Sequence, residues 1–220
     1  MKRIVVFFVF LALVFAVGAV MAQAAQIESL KGNVQVQSAG EQAWEKASVG
    51  MQVNMGDSIR TARRSNATII TDNTGMNKVT IDELTMVVLN STDPGMINKF
   101  DLSEGKVYAN VESIKAGLAF EVSTPSSVAG VRGTGFSVDS ERDMDEIAVY
   151  KNEVYAQAYD QNKSLIKEIT IPEGFKAMIE RFQGPGELTE LTDNDRNRWN
   201  EIREEMSGRG QDEQGRGQDE

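Results

Sequence analysis

The sequence predicts an all-β domain of many short strands, followed by a single helix and a disordered tail. Apolar and polar residues alternate in several short segments, as expected for strands with one buried face: 34–37, 106–111, 118–122 and 153–159. Turns rich in Gly, Asn, Asp and Pro separate such segments at intervals of about ten residues, which is typical of all-β domains. No helical period runs through residues 27–182, so a βαβ architecture is not expected. We assign the β domain to residues 25–184.

A change of composition after residues 182–187 marks the end of this domain. The Gly-Pro-Gly sequence at 184–186 predicts a linker, so a linker and an amphipathic helix together occupy residues 185–206. The helix is predicted over 191–206, with Thr192 as its N-cap and acidic residues, Asp193 and Asp195, in the first turn. Its apolar residues recur on one face: Trp199, Ile202 and Met206. We expect this stripe to dock on the β domain; a stripe reserved for a partner is the alternative, which is disfavoured because so short a helix is marginal in water.

The last fourteen residues, 207–220, repeat the sequence RGQDE twice and contain no apolar residue. Such a segment cannot bury enough surface to become ordered. We therefore predict a disordered polar tail that is dispensable for folding.

The first 24 residues have the pattern of a secretory signal peptide. Lys2 and Arg3 precede an uninterrupted apolar run from Ile4 to Val20, and the sequence Ala-Gln-Ala at 22–24 is a small-residue cleavage site. We predict cleavage before Ala25, which would change the net charge from −10 to −12. An uncleaved membrane anchor is the alternative, since the apolar run approaches the length of a membrane span. In either case the remainder lies outside the cytoplasm.

Composition excludes several classes of function. The net charge of −10 and the pI of about 4.7 argue against a nucleic-acid partner, which requires concentrated Lys and Arg. The sequence has neither His nor Cys, so Cys/His zinc sites, thiol catalysis, the Ser-His-Asp triad and haem ligation by His are all excluded. Carboxylate chemistry, Ser/Lys pairs and oxygen-ligated metals remain open.

The segment 121–140, EVSTPSSVAGVRGTGFSVDS, differs from its neighbours in its Gly and Pro content. It lacks the spacing and the Lys of a phosphate-binding loop, and it lacks the G-x-S-x-G of a nucleophile elbow. Ser126 or Ser127 with a distant Lys remains a formal possibility without specific support. A corner between two strands is the interpretation that the residues favour, because Pro lacks an amide donor and Gly adopts backbone angles closed to other residues.

The acidic run at 140–146, SERDMDE, resembles a calcium-binding loop only weakly. Asp143, Asp145 and Glu146 lack the Gly and the terminal Glu of an EF-hand loop. We predict a solvated hairpin tip here, with calcium binding as the minor alternative. No metal site and no cofactor are expected.

Three segments resemble the FecR domain family. TPSSVAGVRGTGFSV at 124–138 resembles the family signature T-P-x-x-x-x-x-V-R-G-T-x-F. The segment 44–69 is similar to the family's W-x-x-x-x-x-G…G-D-x-I-x-T stretch, and LSEGKVYANV at 102–111 is similar to its L-x-x-G-x-V-x-x-x-V strand pair. The resemblance covers about residues 30–158 and identifies a set of motif residues with an expected structural role: Gly56, Asp57, Thr61, Thr124, Pro125, Val131, Arg132, Gly133, Thr134 and Phe136.

The resemblance implies a twisted, solenoid-like or sandwich-like β fold and an envelope location. Family members in the strict sense are inner-membrane regulators whose outer portion responds to a TonB-dependent transducer and whose cytoplasmic helices hold a sigma factor. Only three residues precede the apolar segment in this chain. We therefore expect a stand-alone periplasmic or secreted FecR-domain protein without the anti-sigma region.

Within the motif, each residue type has an expected contribution to the corner. Val128, Val131 and Phe136 are expected to anchor it in the core. Arg132 carries five donors in a rigid fork, and we expect it to satisfy loop carbonyls or a carboxylate. Thr134 is expected to form a local hydrogen bond in the turn.

The functional prediction is a non-enzymatic envelope protein that mediates protein–protein interaction or signalling. The predicted partner is another envelope protein, with no nucleic acid, and with membrane contact only through an uncleaved N-terminal segment. The alternative is a structural or peptidoglycan-binding envelope module. An enzyme that uses its carboxylates is the weakest candidate, because sequence spacing does not show that two acids face each other across a cleft.

Overall fold

The structure is a computed structural model that describes residues 25–91, 97–112, 114 and 119–208. The predicted signal peptide, residues 1–24, lies outside the described residues. So does the predicted tail, apart from residues 207 and 208.

The described residues form seventeen strands and then one helix, so the predicted all-β class is confirmed. The first nine strands are β1 Ala25–Lys31, β2 Val34–Gln37, β3 Glu45–Lys46, β4 Gln52–Val53, β5 Ser58–Thr61, β6 Asn66–Ile70, β7 Lys78–Ile81, β8 Met86–Asn90 and β9 Lys99–Asn110. The remaining elements are β10 Phe120–Ser123, β11 Ser127–Val131, β12 Gly135–Ser140, β13 Met144–Lys151, β14 Glu153–Tyr159, β15 Leu165–Pro172, β16 Phe175–Glu180, β17 Pro185–Glu190 and helix α1 Asp193–Met206.

The strands pair into two sheets that share β9. Sheet A has the order β4-β1-β6-β7-β9-β12-β13-β16-β17. Sheet B has the order β3-β2-β5-β8-β9-β10-β11-β14-β15. All pairings are antiparallel except β9 with β10, which is parallel. Buried side chains of both sheets form one hydrophobic cluster, so the sheets pack face to face as a sandwich.

Strand β9 passes from sheet B to sheet A at Gly105. Residues 99–104 pair with β8 in sheet B, and residues 105–110 pair with β12 in sheet A. Gly105 has a φ of +89°, which L side chains rarely adopt, and a Cβ there would lie 2.4 Å from Thr85 Oγ1. The bend that joins the two sheets therefore depends on a glycine at this position.

Three phenylalanines fill the centre of the core where β9, β10 and β12 meet. The rings of Phe100 and Phe120 stack with their centroids 5.2 Å apart, and Phe136 meets Phe120 edge-on at 6.3 Å. All three side chains are fully buried. Phe100 and Phe120 belong to sheet B and Phe136 belongs to sheet A, so this aromatic cluster joins the two sheets.

The linker predicted at 184–186 is wrong, because residues 185–190 form strand β17. This strand pairs with β16, with Phe175 opposite Glu190 and Ile179 opposite Pro185. Pro185 is the first residue of an edge strand, where its missing amide leaves no ladder hydrogen bond unmade. The β domain thus extends to Glu190.

Helix α1 begins and packs as the sequence predicts. Thr192 is the N-cap, and its hydroxyl accepts from the amide of Asp195 while the Asp195 carboxylate accepts from the amide of Thr192. The apolar stripe of the helix is buried against Tyr108 and Tyr150 on the outer face of sheet A. It consists of Trp199, Ile202 and Met206. The ring of Trp199 stacks on that of Tyr150 with centroids 4.7 Å apart.

Polar contacts hold both ends of α1 on sheet A. Lys176 on β16 lies 3.1 Å from the carboxylate of Asp195, and Lys78 on β7 donates to the main-chain carbonyl of Met206 at 2.6 Å. Between them, Arg198 donates to Asp82 at 3.1 Å. Across the described ranges, no helix combines the length and apolar character that a bilayer span requires.

Candidate binding surface

Asp57 and Gly56 of the first motif segment join two turns to strand β8. Asp57 is buried, and its carboxylate accepts from the amides of Ala39 at 2.8 Å and Asn54 at 2.7 Å. Its carbonyl accepts from the amide of Leu89, and the amide of Gly56 donates to the carbonyl of Leu89. These contacts satisfy backbone groups that would otherwise be unpaired, which stabilises the turn before β5.

Thr61, the other residue of this segment, connects the end of β5 to the turn between β7 and β8. Its hydroxyl donates to the carbonyl of Asp82 at 2.5 Å and accepts from the amide of Thr85 at 3.0 Å. The buried hydroxyl thereby satisfies main-chain groups of the turn where β7 leaves sheet A for β8 in sheet B.

Thr124 belongs to a buried hydroxyl cluster around Asp145. Oδ2 of Asp145 accepts from the hydroxyls of Thr124, Ser126 and Ser127 at 2.5, 2.8 and 2.9 Å, and Oδ1 accepts from Ser140 at 2.7 Å. Asp145 is fully buried, so the prediction that it lies in a solvated hairpin tip is wrong.

The reason for its burial lies in the position of two turns. Pro125 lies in the turn from β10 to β11 in sheet B, and Asp145 lies near the start of β13 in sheet A. The carboxylate links these turns across the sandwich, and four hydroxyl donors compensate for its loss of water. Among the described residues, no group of three or more acidic side chains could hold a metal ion.

The motif centre is a corner, as predicted. Residues 132–134 carry the chain from β11 in sheet B to β12 in sheet A. Val131 and Phe136 are fully buried on either side of it, and Gly133 has a φ of +79°. The hydroxyl of Thr134 donates to the carbonyl of Glu153 at 3.0 Å, so its hydrogen bond crosses to β14 and the prediction of a local bond is wrong.

The other two glycines of the segment, Gly130 and Gly135, do not have the positive φ angles that the sequence suggests. A Cβ on Gly135 would lie 2.7 Å from Cζ2 of Trp199, so this glycine makes room for the helix. Gly130 and the half-buried Val128 lie on the outer face of sheet B, so Val128 is not the core anchor that we predicted.

Arg132 is exposed, and within the described part of the chain its guanidinium forms no hydrogen bond or ion pair. The prediction that it satisfies the loop carbonyls is wrong, because other groups already do so. Asn152 Nδ2 donates to the carbonyl of Gly133 at 2.5 Å, and the amide of Val111 donates to the carbonyl of Thr134 at 3.0 Å. The side chain of Arg132 is therefore available for another contact.

Arg132 borders a groove of about 820 Å³ on the outer face of sheet B. The groove follows β10, β11 and β14, and Val128 and Gly130 lie along it. Polar and aromatic side chains surround these residues: Glu121, Arg132, Glu153, Tyr155 and Gln157. The groove combines an apolar strip with a guanidinium group, an aromatic ring and an amide. Such groups are suited to binding a ligand and do not by themselves form a catalytic site.

Tyr155 is the most exposed aromatic residue of the groove, at 46%. Its hydroxyl donates to Glu153 Oε1 at 2.6 Å, and this hydrogen bond and the glutamate charge raise the pKa of the phenol. The neighbouring Gln157 donates to Glu168 at 2.6 Å, which orients its amide.

A family model described as FecR protein matches residues 57–155. The chain contains a FecR domain. The resemblance found in the sequence motifs is therefore confirmed, and the matched region runs from Asp57 to Tyr155. A comparison with curated protein sequences gives no match.

Two crystal structures, at 1.65 and 2.50 Å resolution, align with part of this chain. Both are of a candidate anti-sigma factor from Parabacteroides distasonis ATCC 8503, with 15% sequence identity and a TM-score of 0.47. Each alignment covers 61% of this chain and 59% of the other chain, which is less than two thirds of that protein.

The five polar motif residues of the FecR domain thus divide into two groups. Asp57, Thr61, Thr124 and Thr134 form hydrogen bonds within the fold, whereas Arg132 faces the groove. Sequence reasoning missed the groove residues outside the motif. In segments 118–122 and 153–159, alternate residues lie on the same face of the sheet, and this places Glu121, Tyr155 and Gln157 together. This alternation is the sequence pattern that could have identified these groove residues.

Proposed function

We propose that this FecR domain is a non-enzymatic protein-binding module of the bacterial envelope with a role in signalling. The exposed Arg132 carries the proposal. A motif arginine that takes no part in the hydrogen bonds of the described fold, and that borders a groove, is suited to a partner's carboxylate or carbonyl groups. The signal peptide predicted from the sequence of residues 1–24 and the envelope association of FecR domains support this location.

The open groove also supports a macromolecular ligand. Its apolar strip along Val128 and Gly130 lies beside Tyr155 and ends near Arg132. Arginine and tyrosine are residue types that often dominate the energy of protein interfaces. The hydroxyl cluster around Asp145 holds the turn between β10 and β11, two of the strands that line the groove, which supports a preformed groove.

Crosslinking in intact cells, followed by mass spectrometry, tests the proposal with Arg132→Ala. We expect the variant to melt like the parent, because the guanidinium forms no hydrogen bond or ion pair within the described residues. The yield of the crosslinked protein should fall about fivefold or more, as expected for the loss of roughly 1 kcal/mol of binding free energy.

Arg142→Ala is the matched control. Arg142 is an exposed arginine at the tip between β12 and β13, away from the groove, so its removal should leave both melting and crosslinking unchanged. Equal yields from the two variants would refute the role of Arg132. Recovery of peptidoglycan alone, with no reproducible protein, would instead support a wall-binding module.

A further inference from the structure

We propose that β15, the edge strand of sheet B, accepts an extended strand from the partner protein. This inference rests on the proposed protein-binding function and specifies how the partner binds. Strand addition satisfies backbone amides and carbonyls that the fold leaves at a sheet edge, and it needs no deep pocket.

The direction of the amides along β15 follows from two observations on β14. The amide of Tyr159 donates to Ser126 on the β11 side, so the alternate residues 158, 156 and 154 direct their amides towards β15. Their partners in the register are Lys167, Ile169 and Ile171. The intervening residues, Glu168 and Thr170, therefore direct their amides and carbonyls away from β14.

The outward side of β15 is free within the described residues. β15 pairs with β14, and no other strand in the described ranges pairs with it. Pro172 occupies an outward position of the same alternation, where a missing amide breaks no bond to β14. Strand β15 thus presents an open edge that begins with Leu165 and ends before Pro172, the last of its eight residues.

Apolar side chains are exposed at the same end of the sandwich. Leu165 and Ile166 on β15 are 53% and 44% exposed, and Leu188 on β17 is 40% exposed. An ideal Cβ on Gly184 would lie 3.7 Å from Ile166, so the apolar side chains of β15 lie close to the hairpin of sheet A. A strand added to β15 would cover this apolar surface.

The charges at this end of the sandwich indicate which residue types the added strand should contain. Glu187 and Glu190 on β17 are exposed, and neither forms an ion pair within the described chain, whereas β15 offers the single cation Lys167. A strand that alternates apolar residues with Lys or Arg complements this surface. A second copy related by a two-fold axis would instead bring the acidic β17 strands of both copies together.

The edge is continuous with the proposed groove. Thr170 lies opposite Tyr155 in the register, and Glu168 lies opposite Gln157. Because directly opposite residues of an antiparallel pair share one face of the sheet, an added strand extends the face that carries the groove. One partner can therefore contact Arg132 and pair with β15.

Thr170→Pro removes an outward amide without removing a hydrogen bond to β14, and Thr170→Val is its matched control. The proline should leave the fold intact, because it lies on an edge and follows an extended residue. The probe is a synthetic ten-residue peptide in which valine alternates with lysine. We expect Thr170→Pro to weaken peptide binding about fivefold or more relative to Thr170→Val, as the loss of roughly 1 kcal/mol predicts.

Amide hydrogen exchange of the wild-type protein gives a second measurement that does not depend on the variant. Without peptide, the amides of Glu168 and Thr170 should exchange much faster than those of Ile169 and Ile171. With peptide, the two outward amides should become protected. Binding without this protection, no binding at millimolar peptide, or protection by self-association without peptide would each overturn the inference.

The cellular crosslinking separates this inference from the proposed function. Loss of the captured envelope protein in Thr170→Pro, with retention in Thr170→Val, supports strand addition. Equal capture by both variants overturns strand addition and leaves the protein-binding function standing. If the wild type captures no protein, the proposed function fails, while the peptide and exchange measurements still decide whether the edge accepts a strand.

Discussion

The two outer faces of the sandwich differ in the exposure of their aromatic side chains. On sheet A, Tyr108 and Tyr150 lie beneath Trp199 of helix α1, and burial raises the pKa of Tyr150 to about 12 despite its hydrogen bond with Ser137. On sheet B, Tyr155 is exposed beside Arg132 in the groove. The helix gives sheet A an intramolecular partner, and sheet B has none within the described residues.

This difference shows how one fold can separate stability from recognition. The contacts of α1 combine apolar burial with ion pairs to sheet A and its turns, such as Lys176 with Asp195 and Arg198 with Asp82. The groove residues contribute few contacts to the fold, so substitutions there should affect binding with little effect on folding. Three predictions test the contrast on the side of sheet A.

Trp199→Ala should have the largest effect. Removal of the indole leaves a cavity between α1 and Tyr150, and we expect a loss of about 3 kcal/mol in the free energy of unfolding. Urea denaturation measures the loss, and amide exchange should show that α1 opens while the strands stay protected. An unchanged midpoint with a protected helix would contradict the contrast between the faces.

Gly135→Ala should have an intermediate effect, and Gly130→Ala is its counterpart on sheet B. The new Cβ at 135 would lie 2.7 Å from Trp199, which must move, at a cost of about 1–2 kcal/mol. At 130 the nearest atom is the carbonyl oxygen of Tyr155 at 3.8 Å, so alanine there should be neutral or slightly stabilising. Thermal melting of the two variants measures the difference. Equal melting temperatures would show that the packing of Trp199 does not depend on glycine at position 135.

Lowering the pH should have the smallest effect on the stability of α1, through protonation of Asp195. Burial alone would raise the pKa of this carboxyl, but hydrogen bonds from Thr192 and the contact with Lys176 outweigh it and lower the pKa. A lowered pKa in the folded state means that Asp195 stabilises α1 above the ordinary aspartate pKa and that this contribution is lost as the pH falls through the folded value.

Trp199 emission between about pH 5 and pH 2 tests this prediction in a Trp44→Phe background. Undocking of the helix should shift the emission to longer wavelength as the pH falls. Asp195→Asn should show part of that shift already at neutral pH and a flatter dependence on pH. Identical titrations of the two proteins would exclude Asp195 as the group responsible.

Local patterns in the sequence predict most of the fold and less of the binding surface. Alternation and turn residues identify the strands, and Thr192 with the stripe of Trp199 identifies the helix, because these features act within a few residues. The strand at 185–190 was missed, since its pairing with β16 outweighs the local turn preference of Gly-Pro-Gly.

The role of Arg132 could not be predicted for a similar reason. Its donors suit the loop carbonyls, but Asn152, nineteen residues later than Gly133, already fills that role. The burial of Asp145 likewise depends on hydroxyls brought from a different sheet. Such long-range competition is decided by the three-dimensional arrangement, and no local pattern records it.

The position of β9 at the middle of both sheets has a consequence for the kinetics of folding. In the described residues, strands β1–β8 pair among themselves or with β9, and strands β10–β17 do the same on the other side. Every strand therefore finds its partners within a limited stretch of chain, which lowers the average loop that must close before a contact forms. Pairing can spread outward from β9 in both directions, so the protein should fold faster than a β-sandwich whose first and last strands are neighbours.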